Sequence, residues 1–247
     1  MRLTGGKLGL LAALAACAIA AVAAVPAQGL VSNASIQAVD GDIFAGGDGP
    51  GGSTDFNLAS GTTTILDNTD ADTTHNVTAA KPTAFPVTLN GPDGGPLFRS
   101  GDVFPNESAT VAGVQYLADG SYDFYCTIHP SSAQGTLEVS GSDPVPRPKI
   151  SVAIKASKLG TVLKKGKIPV SVHADTQSSG VTLQAKLGKT KLASEKGLNL
   201  GAGSTRKLSL KLTGAGRNAL KGKSKAKLTL VGSVSFGASA TAAKKLG

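Results

Sequence analysis

From residue 149 onward, apolar and basic residues alternate with a period of two, in KISVAIK, KIPVSVHA, VTLQAKL, RKLSLKLT and AKLTLVGSVSF. Successive residues of a strand point to opposite sides, so each run buries one side and wets the other, here with lysine. One helical turn is expected in GAGRNALKG, around 213–222, and the terminal SATAAKKLG reads as a frayed tail. Residues 149–247 therefore read as a second, smaller β-sandwich of immunoglobulin-like type.

The preceding half carries the same class of signal in shorter pieces. Strands are expected near 34–39, 62–67, 73–79, 108–112, 121–126 and 135–140, separated by turns such as GGDGPGG and NGPDGGP. The chain has no tryptophan and few aromatics, and it is rich in Gly, Thr, Ser, Val and Ala. That profile favours short strands joined by turns, and no helix is expected in this half. The fold class is all-β, with two sandwiches in tandem.

Charge divides the chain at the same place. Residues 28–142 hold 13 Asp/Glu against Lys81 and Arg99, a net −11, while residues 143–247 hold 21 Lys/Arg against three acids, a net +18. The two are joined by DPVPRP at 143–148, whose alternate prolines favour an extended, fairly stiff spacer. Residues 1–27 read as an export signal: Arg2 and Lys7, an apolar run from Leu8 to Val25, then a small-residue cleavage site. Two other fates fit the same run. LAAC ending at Cys17 matches a bacterial lipobox, and an uncleaved run would be just long enough to anchor in a bilayer. With the signal removed, Cys126 is the single cysteine, so no internal disulfide can form.

That cysteine stands in YDFYCTIHPSSAQGTL, residues 122–137. Alternation puts Tyr122, Phe124 and Cys126 on one side of a strand, and His129 follows on a loop before the next strand starts at Gly135. His75, in DADTTHNVTA, lies at another turn-to-strand junction of the same half. One thiolate and two imidazoles make a His₂Cys set, which suits copper in electron-transfer sites. His173, the remaining histidine, has no such partner and reads as an ordinary surface residue.

The pair His75-Asn76, the run Tyr-x-Phe-Tyr-Cys-x-x-His-Pro and the closing Gly-x-Leu-x-Val resemble a cupredoxin, the blue copper family that includes plastocyanin and amicyanin. The resemblance covers under half of the chain, about 34–140. It implies a Greek-key β-sandwich over 28–142 holding one type 1 copper ion. His75, Cys126 and His129 would be the equatorial ligands, with Asn76 bracing the cysteine loop through hydrogen bonds. The family's axial methionine is missing, since Met1 is the only methionine. Counting five on from His129 gives Gln134 as the axial ligand; counting two back from Gly135 gives Ala133; an empty axial position is the third reading.

Function follows as an exported or surface-held carrier of single electrons between redox partner proteins. The alternatives are a copper carrier or buffer without a redox role, and a surface-attached scaffold. Multicopper oxidases need further histidines, and three cannot supply them, so no enzyme is expected. The basic half could meet an anionic cell-wall or membrane surface, dock against the acidic half, or be a plain solvated face. Nucleic acid is not an expected partner, because Phe236 is the only aromatic after residue 142. Asn33, Asn76 and Asn106 begin N-x-S/T sequons, but the bacterial look of the N-terminus makes glycosylation unexpected.

Overall fold

A computed structural model describes residues 35–46, 54–82, 84–141 and 143–247. The expected export signal, Cys17 and Asn33 lie outside the described residues. No helix among the described residues is long and apolar enough to cross a membrane.

The first half is a sandwich of two four-stranded sheets. One has the order β2-β1-β4-β6, built from β1 (Ser35–Val39), β2 (Ile43–Ala45), β4 (Thr64–Asn68) and β6 (Ser108–Val111). The other has the order β3-β8-β7-β5, from β3 (Asp55–Ala59), β5 (Thr78–Ala79), β7 (Gly120–Tyr125) and β8 (Gln134–Ser140). The pairs β1/β4 and β3/β8 are parallel and the rest antiparallel, so the chain crosses between sheets rather than meandering within one. Alternation is clean where a strand has one wet side: β3, DFNLA, buries Phe56 and Leu58 and exposes Asp55 and Asn57. Ile36, Leu66, Phe56, Phe124 and Leu137 of the two sheets share one core, in which the Phe44 and Phe124 rings lie 5.3 Å apart.

Gly135 of β8 is required by this packing. A Cβ there would lie 2.5 Å from Phe124 Cζ and 2.8 Å from the Thr54 carbonyl oxygen. Only a residue without a side chain lets the Phe124 ring cross the strand.

The second half is a seven-stranded antiparallel sandwich. Strands β9 (Ile150–Ile154), β10 (Lys167–Ala174) and β13 (Ser204–Lys211) form one sheet in the order β13-β10-β9. Strands β11 (Ser178–Leu187), β12 (Thr190–Leu200), β14 (Ala226–Val234) and β15 (Gly237–Leu246) form the other in the order β12-β11-β14-β15. This is an immunoglobulin-like arrangement with β12 placed beside β11. The lysine-bearing runs occupy β9, β10, β11, β13 and β14, with lysine outward. Helix α2 (Gly214–Leu220) falls in the expected GAGRNALKG segment, capped by the Thr213 hydroxyl accepting from the Gly216 N–H at 2.9 Å. Helix α1 (Leu159–Lys165) was not expected; it buries Leu159 and Val162 and ends at Gly166 with φ +63°. The terminal segment corrects the frayed-tail reading. It is β15, a ten-residue edge strand paired along β14.

The segment 143–148 has no regular structure, yet it is laid down on both halves. The Val145 N–H donates to the Gln115 carbonyl at 2.9 Å, and the Arg147 guanidinium lies 5.7 Å from the Tyr116 ring centroid. Beyond it, the β14–β15 turn inserts Phe236 into the first sandwich. Its N–H donates to Asp93 Oδ2 at 2.9 Å, the Arg99 guanidinium stacks 4.7 Å from its ring, and a Cβ at Gly113 would come within 2.7 Å of it. Phe236 takes φ +61° to reach this position.

Candidate metal centre

Strand β7 ends by delivering Cys126, fully buried, to one end of the first sandwich. The following loop is short because it folds on itself: the Ser132 and Ala133 N–H groups both donate to the His129 carbonyl, at 3.3 and 3.0 Å. This turn returns the His129 ring toward the thiol, with Cys126 Sγ 3.8 Å from His129 Nδ1.

His75 arrives from the other sheet side. Its backbone exchanges two hydrogen bonds with Val103, at 3.0 and 2.8 Å, which fixes the residue although no long strand holds it. The loop before it is held by Asn68, fully buried, whose Nδ2 donates to the carbonyls of Thr73 and Val103 at 2.8 and 2.9 Å. Asp70 turns back onto the same loop: its Oδ1 accepts from the Asp72 and Thr73 N–H groups, and its Oδ2 stands 3.3 Å from His75 Nε2. The Asp72 N–H, aided by the His75 ring and the Thr73 N–H, holds the Asp70 carboxyl below the usual carboxylate range against the opposing effect of burial.

A proton on Nε2, where Asp70 can accept it, leaves the lone pair of the buried His75 ring on Nδ1. That nitrogen is the only buried side-chain nitrogen or oxygen among the described residues with no hydrogen-bond partner. A buried polar atom left unpaired is costly, and such an orphan calls for an explanation such as an ion. Here the explanation is adjacent, because ligand atoms of His75, Cys126 and His129 all lie within 4.8 Å of one another. The two imidazole rings are tilted at 55°, with centroids 4.9 Å apart.

The thiol is also prepared. The Asn76 backbone N–H points at Cys126 Sγ at 3.4 Å and fixes where the sulfur sits. The Asn76 side chain ties the two ligand loops together. Its Oδ1 accepts from the Thr127 N–H at 2.9 Å, and its Nδ2 donates to Thr127 Oγ1 at 2.8 Å and Asp102 Oδ1 at 2.9 Å. These bonds occupy the carboxamide that an N-x-T sequon would offer for glycosylation.

Gln134 stands apart from this set. Strand register pairs it with Tyr125, one residue out of phase with Phe124 and Gly135, so it lies on the side opposite Cys126. Its Nε2 donates to the Pro130 carbonyl at 2.7 Å, bracing the histidine loop. Ala133, fully buried and accepting the Cys126 N–H at 2.9 Å, is the residue of that segment on the cysteine side. A methyl group offers no ligand atom. His173 is far along the chain in β10, between Thr205 Oγ1 at 2.9 Å and Asp175 Oδ1 at 3.1 Å.

Two acids at the centre were not singled out from the sequence. Asp70 orients His75, and Asp42, at φ +58° in the β1–β2 turn, places Oδ1 3.5 Å from His129 Nε2. Each imidazole thus has a carboxylate near its Nε2. Both acids sit in turns where Asp is common for local reasons, so only the spacing DADTTH hints at the first, and nothing in the sequence marks the second.

No protein-family model matches the chain, and no curated protein matches it. Among solved structures it is similar to a purple cupredoxin from Nitrosopumilus maritimus, at 21% identity and TM-score 0.32, over 43% of this chain and 99% of that one. An amicyanin mutant in its Cu(I) form is similar at 18% identity and TM-score 0.30, over 46% of this chain and 88% of that one. A DUF3823 family protein from Parabacteroides merdae aligns over 87% of this chain and 97% of its own, at 12% identity and TM-score 0.28.

Proposed function

We propose that the chain is an exported blue copper protein, in which His75 Nδ1, Cys126 Sγ and His129 Nδ1 hold one copper ion and pass single electrons between partner proteins. The observation that carries this reading is the orphaned, buried Nδ1 on a histidine whose ring offers a ligand atom within 4.8 Å of those of Cys126 and His129. The donor set fits the metal: a soft thiolate suits Cu(I), and imidazoles suit either oxidation state. Copper held there would supply one-electron chemistry between Cu(II) and Cu(I).

The rest is done by the chain. Asp70, within hydrogen-bond reach of Nε2, holds the His75 ring, and Asp42 stands 3.5 Å from Nε2 of His129. Asn76 clamps the loops, and its N–H shares the thiolate charge. A frame braced this way holds its donors still when the charge at their centre changes, which supports an electron carrier over a copper buffer. Cys126 and His75 are sealed from water, whereas the His129 side chain is 18% exposed and offers the edge through which an electron leaves. All strong donor positions are used in holding the ion, so the reading is of a carrier and not an enzyme.

The test is optical. Purified protein loaded with Cu(II) should show intense visible absorption from thiolate-to-copper charge transfer, and Cys126→Ser should abolish it. A colourless loaded protein, or one that takes up zinc in preference to copper, overturns the reading.

A further inference from the structure

The positive charge of the second half is gathered at one end of its sandwich. The junction end is where Asp175 and Phe236 lie; there the Asp175 N–H donates to the Lys149 carbonyl, and β9 begins at Ile150 opposite Ala174. At the other end both sheets and both helices are tied together. The Leu212 N–H donates to the Gly166 carbonyl, Thr213 to Leu192, and Leu159 to Gly247, at 2.8–3.0 Å. Three cross-strand pairs at this far end set lysine directly opposite lysine: Lys167 with Lys211, Lys186 with Lys191, and Lys227 with Lys245. Lys155, Lys158, Lys165 and Lys167 also ring a shallow depression of about 100 Å³ beside α1.

Like charges directly opposite on neighbouring strands destabilise a sheet. No Asp or Glu of the half relieves them, because its two acids after residue 148 are elsewhere. Asp175, at the junction end, is engaged by Lys149 at 3.4 Å and His173 at 3.1 Å, and Glu195 pairs with Leu183 in mid-strand. A fold that keeps three opposed lysine pairs at one end, with no Asp or Glu side chain among them, is poised for an anion from outside.

We infer that the far end of the second sandwich is a docking surface for a linear, phosphate-bearing polymer. Lysine recognises phosphate as a point charge, and pairs on the rims of both sheets ask for a ligand long enough to span them. A lipid surface fits less well. The large exposed apolar residues, Ile43, Ile65, Phe85, Val87, Phe104, Ile128 and Val145, all precede the second sandwich, leaving it no side chain to bury in a bilayer. The metal centre lies at the far end of the first sandwich, so it stays uncovered when the polymer is bound, and the inference does not rest on the copper reading.

The test uses the full chain titrated with long-chain inorganic polyphosphate, and separately with vesicles of phosphatidylglycerol and phosphatidylcholine. Polyphosphate should bind with an affinity that falls steeply as salt rises. Lys167→Glu combined with Lys227→Glu should weaken binding about tenfold or more. The same pair should hold or raise the thermal midpoint, since each change turns an opposed like pair into an opposite one. Arg206→Glu combined with Lys207→Glu carries the same charge change near the junction end and should weaken binding by less than about threefold. Equal losses from both double variants would mean that net charge alone binds. Vesicle binding without polyphosphate binding would make lipid the partner, and binding to neither would make the end a solvated face; each of these overturns the inference.

Discussion

Replacing Asn76 by alanine isolates the clamp between the two ligand loops. The change removes the acceptor for the Thr127 N–H at 2.9 Å, the contact with the Thr127 hydroxyl at 2.8 Å, and the bond to Asp102 at 2.9 Å. At roughly 1 kcal/mol for each such bond, tempered by the exposure of Thr127 to water, the loss is about 2–3 kcal/mol. Thr127→Ala removes only the hydroxyl and should cost about 0.5–1 kcal/mol, because the backbone N–H keeps its partner. In the Asn76→Ala background the same substitution should cost almost nothing, giving a coupling close to the whole single-variant effect. The assay is urea unfolding followed by tyrosine fluorescence, since Tyr116, Tyr122 and Tyr125 are the only tyrosines and all lie in the first sandwich. An Asn76→Ala loss below about 1 kcal/mol, or a Thr127→Ala cost that is the same in both backgrounds, would show that the backbone holds the loops without the clamp.

Three other substitutions test separate parts of the argument. Gln134→Met should leave the reduction potential of the copper-loaded protein unchanged, because Gln134 lies on the Tyr125 side, whereas Ala133→Met should raise it; voltammetry on the two variants decides. Gly135→Ala should destabilise the first sandwich by about 1–3 kcal/mol in the same urea assay, through overlap with Phe124. Phe236→Gly relieves a positive φ while withdrawing the ring from Arg99 and Tyr116. Calorimetry should then resolve separate transitions for the two sandwiches, and an unchanged profile would mean the ring does not couple them.

The parts of the fold that were legible share one property, a contrast between neighbouring residues. In β10 and β14, lysine, serine or threonine alternates with Ile, Val and Leu, and the two sides of the strand can be read directly. Strand β15 has no such contrast. Its alternating Ala, Ser and Thr serve an edge position with a single pairing neighbour, and the run looks like a tail. Strand β12, TKLASEKGLNL, was missed because bulges along its pairing with β11 break the period of two. At the centre, His75, Cys126 and His129 stood out because histidine and cysteine are scarce in this chain. The braces Asp42 and Asp70 did not, since a turn aspartate looks the same whether or not an imidazole lies behind it. Gln134 illustrates the limit of counting along a loop: spacing gave its distance from His129, but only strand register gives the side on which it falls.

The Phe236 turn packs the second sandwich directly against the first. Strand β7, six residues, runs from beside the junction to the thiol, and β10, eight residues, runs from the lysine end back to the junction. At about 3.3 Å per residue these strands span roughly 20 and 26 Å, so the thiol and the lysine end each lie about a strand length from the junction. A molecule held by its lysine end would therefore leave the candidate metal centre uncovered, on the other side of the junction. Under the proposed function, electrons would then pass to partners that approach from the open side rather than to whatever holds the lysine end.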